Sequence, residues 1–322
     1  MWKYIVRRLL QMIPILFGVS LIIYFIVHMV PGNFLTTEMM NAKISPEQMK
    51  RLEDLYGFND SFFVGYYKWI SGIVLRFDLG ISFVYKMPVT QVITSFVGTS
   101  VKLALPAFIL EIVIAIPLGI ISATRQYTKT DMTLTFIAFL GISFPSFFLS
   151  QLLIKFFAID LHWLPSMGLV TPGTNYTGLA AFSDQLLHLI LPVFVLTVLG
   201  IGGLMRYTRM SMLEVINQDY VRTARSKGLS ERVVIRKHAL RNALIPIVTL
   251  LGLSLPGIFS GAIITESIYG IPGIGWVSLK AINQRDYPLM MGFCLFVTIL
   301  ILIGNLLSDI AYSAVDPRVQ LK

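Results

Sequence analysis

Nine basic side chains crowd one stretch of this sequence: Arg206, Arg209, Arg222, Arg225, Lys227, Arg232, Arg236, Lys237 and Arg241. Glu214, Asp219 and Glu231 oppose them, leaving a local net charge of +6. Asp219 is suited to cap a short helix over 220–227 that Gly228 stops, and Ser230 to cap a second helix that follows. Ala224 and Gly228 stand four apart, so they share a face, and both are small. A small pair at that spacing lets another surface approach the backbone, with Arg222 and Arg225 on its flanks. A solvated basic loop beside anionic lipid would need no such order. Two capped helices point instead to a docking element.

Residues for catalysis are missing. No His-Glu-x-x-His occurs, and His28, His162, His188 and His238 are scattered, so neither zinc spacing nor a nucleophile–base pair can be read. A single cysteine, Cys294, excludes an internal disulfide framework, a multi-cysteine zinc site and a cysteine-ligated cluster. No Gly-Lys dipeptide is present, hence no phosphate-cradling Walker loop. Three carboxylates stand out for lying in or near apolar runs: Glu111 near the middle of one, Glu266 and Asp309 near the ends of two others. A central carboxylate costs at least about 2.5–3.5 kcal/mol in a bilayer, so Glu111 should face protein or water. It either touches a translocation path or hydrogen-bonds to a neighbouring helix. The breaker-and-hydroxyl stretches Gly141-Ile142-Ser143-Phe144-Pro145-Ser146 and Ser254-Leu255-Pro256-Gly257 suit bent helices beside a wet pathway. Candidate pathway or gate residues are therefore Glu111, Ser143, Pro145, Ser254 and Glu266.

The elements that must position these residues follow from composition. The 322 residues are 55% hydrophobic and 13% charged, against roughly a quarter charged in soluble domains, so lipid is the expected solvent. Six stretches are long and apolar enough to span: 9–30, 103–121, 132–154, 186–205, 244–264 and 288–307. None alternates as a barrel strand would, which leaves an all-α membrane protein of six transmembrane helices. Both termini then share a side. The connections on that side hold sixteen Lys and Arg against eight on the other, so the positive-inside rule places both termini in the cytoplasm. That asymmetry accounts for most of the net charge of +9 without nucleic acid. The first apolar run is too long for a signal peptide and lacks a cleavage site, so it should stay as an anchor.

The outer connection over 31–98 is too long for a bare linker. Ser45-Pro46-Glu47-Gln48 reads as a capping box opening a helix that ends at Gly57. A second, aromatic stretch over 62–75 is too short to span and should lie at the interface, as a cap on the spans or a platform for an external partner.

The residues Asp219-Tyr220-Val221-Arg222-Thr223-Ala224-Arg225-Ser226-Lys227-Gly228-Leu229-Ser230, followed by His238-Ala239-Leu240-Arg241-Asn242-Ala243, resemble the ATPase-coupling loop of binding-protein-dependent ABC importer permeases. The likeness is to the B-type subunit of the dipeptide and oligopeptide branch. The stretches Glu266 to Gly275, Arg285-Asp286-Tyr287-Pro288 and Asp316-Pro317-Arg318 agree, as do the opening over 4–10 and Trp163-Leu164-Pro165. The resemblance runs nearly end to end and is weakest over 34–84. The general coupling motif begins Glu-Ala-Ala and ends Ile-x-Leu-Pro. Here Arg222 and Thr223 take the first two positions and His238-Ala239-Leu240-Arg241 the last, as is usual in the peptide branch, so no role carries over from the Glu.

The resemblance implies a type I ABC importer permease fold with a partly helical extracytoplasmic insertion. Its divisions would be 1–30, an insertion over 31–94, a permease core over 95–309 with the coupling loop at 206–243, and a tail over 310–322. It implies ATPase contacts by Tyr220, Arg222, Thr223, Ala224, Arg225, Lys227, Gly228 and Leu229. It further implies a homologous C-type permease partner, two cytoplasmic ABC ATPases, an extracytoplasmic peptide-binding protein and a bacterial or archaeal cytoplasmic membrane. No cofactor would be bound by this chain, with ATP and Mg held in the ATPase subunits, and the chain would not itself be an enzyme. Short peptides are the expected cargo, with nickel or a metal chelate as the alternative within the family. A stand-alone secondary transporter is the alternative outside it, but no inverted repeat supports that reading.

Overall fold

A backbone in lipid must satisfy its own polar groups, and the apolar runs of this chain do so as helices. The computed structural model describes residues 2–29 and 60–315. Helix α1 (Trp2–Met29) is followed by α2 (Phe62–Arg76), α3 (Val89–Thr124) and α4 (Lys129–Ser143). Next come α5 (Ser146–Leu153), which widens into π-helical turns over Ile154–Asp160, and the long α6 (Gly178–Ile216). The short α7 (Asp219–Ser226) and α8 (Glu231–Val233) lead through further π-helical turns over Val234–Ala239 into α9 (Leu240–Ser260). A hairpin of α10 (Ile263–Ile268) and α11 (Ile274–Asn283) precedes α12 (Tyr287–Val315). The proposed capping box at Ser45 and the tail from Asp316 lie outside the described residues.

Among the described residues, five helical stretches are long and apolar enough to cross a membrane, and α4 with the helix after it makes a sixth if that bent pair is one span. The six expected runs thus all appear, with four corrections. The run over 132–154 is not one rod: it breaks at Phe144 and Pro145 with a 97° bend. Pro145 has no N–H to donate, and the extended Phe144 (ψ 124°) before it ends α4. The second and fourth spans are far longer than their apolar runs, at 36 and 39 residues. At 1.5 Å per residue these are about 54 and 58 Å, well beyond a hydrocarbon core of about 30 Å. The division drawn between 94 and 95 falls inside α3, and Arg206 and Arg209 belong to α6 rather than to a loop. Finally, the fifth run is interrupted after Ser260 by Gly261 (φ +81°), a left-handed position that favours glycine, and restarts as α10.

Helices α3 and α6 run side by side as the centre of the bundle. Leu103 and Ala107 of α3 pack with Leu189, Leu191, Val193 and Val195 of α6, joined by Leu149 and Leu153 of α5. Deeper along the pair, Ala115 meets Leu204 and Met205, with Ile247 from α9. Gly119 allows a close approach, since a Cβ there would lie 2.6 Å from Cβ of Thr208. Small residues at such crossings replace the hydrophobic drive that lipid cannot provide.

Helix α1 packs at the edge, leaving Leu10, Ile13, Phe17 and Phe25 outward-facing. Near its first turns, Tyr4 donates to Asp309 Oδ2 at 2.8 Å and Arg8 pairs with the same oxygen at 2.9 Å, so the start of α1 and the last part of α12 meet. Helix α2 sits on the other end of α1. Tyr24 stacks on Trp69 (5.8 Å) and meets Phe62 and Tyr66 edge-on (5.5 and 5.6 Å), while the Ser20 and Tyr66 hydroxyls bond at 2.9 Å. Its opposite face leaves Phe63, Tyr67, Val74 and Leu75 exposed.

Candidate coupling site and pathway residues

Helix α7 has eight residues and could not stand alone. Its buried face holds it in place: Val221 and Ala224 pack against Val234, with Val215 at the edge. Ala224 is therefore turned inward, with 5% of its surface exposed, and is not part of an outward small-residue pair with Gly228. Helix α7 ends at Ser226, before Gly228, and the face that carries Ala224 is filled by the chain's own Val234. Substituting leucine for Ala224 forces extra volume between Val221 and Val234 and should cost about 1–3 kcal/mol. Proteolysis of the loop in purified protein measures this, and cleavage should speed up without loss of the membrane bundle.

The exposed face carries Tyr220, Arg222, Thr223, Arg225, Lys227, Gly228 and Leu229. Two polar ties steady it. Asn242 at the start of α9 donates its side-chain N–H to the Tyr220 hydroxyl at 3.1 Å. Arg225 makes a two-pronged pair with Glu231, at 2.8 and 3.2 Å, and that carboxylate raises the guanidinium above its ordinary range. Arg222 lies 3.7 Å from Asp219 across exposed surface, a contact worth little. Asp219 is the first helical residue, and Gln218 occupies the cap position without a side-chain capping bond. Ser230 does stand at the next cap, but its backbone carbonyl, not its hydroxyl, accepts from Val233 and Val234 at 2.9 and 3.0 Å. Gly228 ends the element at φ +76°, with its N–H bonded to the Arg225 carbonyl at 2.9 Å and open space where a Cβ would project.

Above α7 lies a feature that composition and spacing did not reveal. Arg209 of α6 grips Asp131 of α4 through two bonds, at 2.9 and 2.8 Å. Ser122 of α3 donates to the same carboxylate, as does the Tyr127 N–H at 3.0 Å. Asp131 is 4% exposed, so these four donors settle a charge that would otherwise be costly to bury. The ends of α3, α4 and α6 are thereby fastened to one another. Asn217 and Gln218 alone separate α6 from α7. The local sequence could not foretell a pair 78 residues apart, although a buried-length helix carrying a lone Asp in its first turn was a signal.

No hydrogen bond or ion pair joins any two of the five candidate pathway residues. Ser143 bonds the Phe139 carbonyl at 2.7 Å and Ser254 the Leu250 carbonyl at 3.0 Å, each within its own helix. Pro145 occupies the bend. Glu111 lies partly exposed against Gly200 of α6. Glu266 is wholly buried and acts as a bolt. Ser100 of α3 donates to Oε1 at 2.6 Å, the Ala262 N–H to Oε1 at 3.1 Å, and the Trp276 N–H to Oε2 at 2.9 Å. Ser100 in turn accepts from the Ile274 N–H at 2.8 Å. A Cβ on Gly273 would come within 2.5 Å of the carboxyl carbon, so only glycine leaves that room. Asp286 plays a matching part next to α12, accepting from the Ser82 hydroxyl at 2.5 Å and from the N–H groups of Val84 and Leu289 at 3.0 and 3.2 Å. Among the described residues no group of His, Cys, Asp and Glu could hold a metal ion.

Comparison with known proteins places this arrangement. Relatives match over the whole length: the oligopeptide transport system permease protein AppB of Bacillus subtilis is 40% identical over 99% of this chain and 100% of its own. The dipeptide transport system permease protein DppB of Alkalihalophilus pseudofirmus is 37% identical, and the oligopeptide transport system permease protein OppB of Escherichia coli is 36% identical, each over 99% of this chain and 100% of its own. A solved structure of the MetNI methionine ABC transporter in inward-facing conformations shares the fold, with a TM-score of 0.53 at 18% identity over 70% of this chain and 97% of that one. Residues 1–104 match the family described as Binding-prot-dependent transport system membrane comp, N-term. Residues 115–321 match the Binding-protein-dependent transport system inner membrane component, and this multi-pass membrane chain belongs to that family of ABC importer permeases.

Proposed function

We propose that this chain forms half of the translocation pathway of an ATP-driven importer of short peptides, with a homologous permease subunit supplying the other half. The observation that carries the reading is end-to-end similarity to oligopeptide and dipeptide permeases, at up to 40% identity. The exposed face of α7 supports the mechanical part. It is a small, internally braced knuckle of Tyr220, Arg222, Thr223, Lys227, Gly228 and Leu229, suited to seat in a cleft of a cytoplasmic ATPase. ATP and Mg would be bound and hydrolysed in two such ATPase subunits, and this chain would hold no cofactor. An extracytoplasmic binding protein would hand over the peptide at the opposite face. The basic residues around α7 support a cytoplasmic position for it and for both termini.

The test is uptake in a strain lacking this chain. Labelled tripeptide uptake should fall to background and return on complementation, with nickel uptake unchanged. Loss of nickel uptake alone would move the cargo to metal, and uptake by the purified chain without any ATPase would make it a secondary transporter. A photo-crosslinker at Leu229 should capture a nucleotide-hydrolysing subunit.

A further inference from the structure

Leu103, Ala107, Ala115, Gly119 and Ala123 of α3 follow one another around a stripe of four-residue steps, and each is buried against α6 or its neighbours. Glu111 falls in the middle of that stripe, yet it alone of the series stays partly exposed. Helix α6 gives way to it. Gly200 faces the carboxylate, and a Cβ there would sit 2.4 Å from the carboxyl carbon and from Oε2. One turn further, Gly203 is exposed with open space over it, so the α6 surface beside the carboxylate is bare backbone.

Three other carboxylates of the membrane helices are supplied with donors: Asp131 by Arg209, Glu266 by Ser100 and two N–H groups, Asp309 by Tyr4 and Arg8. Glu111 has no hydrogen-bond donor or cation among the described residues. A carboxylate at this depth calls for a positive partner, and the chain keeps room for one without providing it. The peptide-import reading above, on which this inference rests, offers a cation on every ordinary cargo: the amino-terminal ammonium.

We propose that Glu111 receives the amino-terminal ammonium of the peptide as it passes the middle of the membrane, with the glycine surface of α6 lying alongside the peptide backbone. The neutral, equally sized variant Glu111→Gln tests this in proteoliposomes holding both permease subunits, the ATPases and the binding protein. Uptake is compared for a tripeptide with a free amino terminus and its N-acetyl counterpart, each at a concentration that saturates the binding protein. Glu111→Gln should slow the free peptide about tenfold and leave the acetylated one within about twofold of wild type. An equal loss for both peptides would overturn the proposal, and a lowered melting temperature of the two-subunit pair would then assign Glu111 to a basic residue of the partner permease. Unchanged uptake of both would overturn it too, leaving peptide import intact. A wild-type complex that carries neither peptide would bring down the import reading first.

Discussion

Replacing Glu266 with alanine is expected to cost the fold about 3–5 kcal/mol, since three buried donors would be left without an acceptor at about 1–3 kcal/mol each. The Ser100 hydroxyl and the N–H groups of Ala262 and Trp276 would lose their acceptor inside the bundle. The glycines packed around the carboxylate leave a void that alanine cannot fill. Glu266→Gln keeps the shape and one acceptor oxygen, but turns an amide donor toward either the Trp276 N–H or the Ala262 N–H and Ser100 hydroxyl, so a smaller loss should follow. Thermal unfolding of the purified complex in detergent ranks the three proteins, with wild type highest, Gln next and Ala lowest. Equal stability in Glu266→Ala would mean that the hairpin of α10 and α11 is held without its bolt. The same experiment separates structure from transport, since a residue needed only along the pathway would lose uptake and keep its melting temperature.

Gly228→Trp should have the opposite signature: a normal membrane fold with ATP hydrolysis uncoupled from uptake. The position has φ +76°, where a side chain is strained, and the added ring would project into open space beside Leu229. Local strain of about 1–2 kcal/mol is small against the bundle, but the ring would stand on the face proposed to enter the ATPase. Peptide uptake is expected to fall at least about tenfold, while basal ATP hydrolysis by the assembled complex persists. Gly228→Ala has the same backbone strain without the bulk, so it should keep most of the coupling. Full coupled transport in Gly228→Trp would remove the knuckle from the mechanism.

The apolar runs announced the spans because burial in lipid is written residue by residue, and no distant partner is needed to read it. The end of α7 was equally plain, since a left-handed stop demands a residue such as Gly228. The true lengths of α3 and α6 were hidden. Their projecting ends carry residues such as Thr90, Gln91, Ser95, Arg206 and Arg209, which dilute the hydropathy without disfavouring a helix. The inward turn of Ala224 was hidden because spacing defines a face but does not say which neighbour covers it. Glu266 was ambiguous for a related reason. A carboxylate at a span end can line a path or tie a knot, and the difference rests on how α10 and α11 fold back on it and on Ser100 of α3, which is 166 residues away. The break at Pro145 was foreseeable as a bend, but its 97° depends on Phe144 adopting an extended backbone.

Because α6 is one unbroken helix of 39 residues and only Asn217 and Gln218 precede α7, it behaves as a lever arm. From Gly200 to Ile216 it measures about 24 Å at 1.5 Å per residue. Pivoting it by about 5° at the level of Glu111 would swing the knuckle sideways by about 2 Å, with little slack to absorb the stroke. If the knuckle seats in an ATPase as proposed, the gearing would run both ways: a cargo that tilts α6 at mid-depth would report its arrival to the motor.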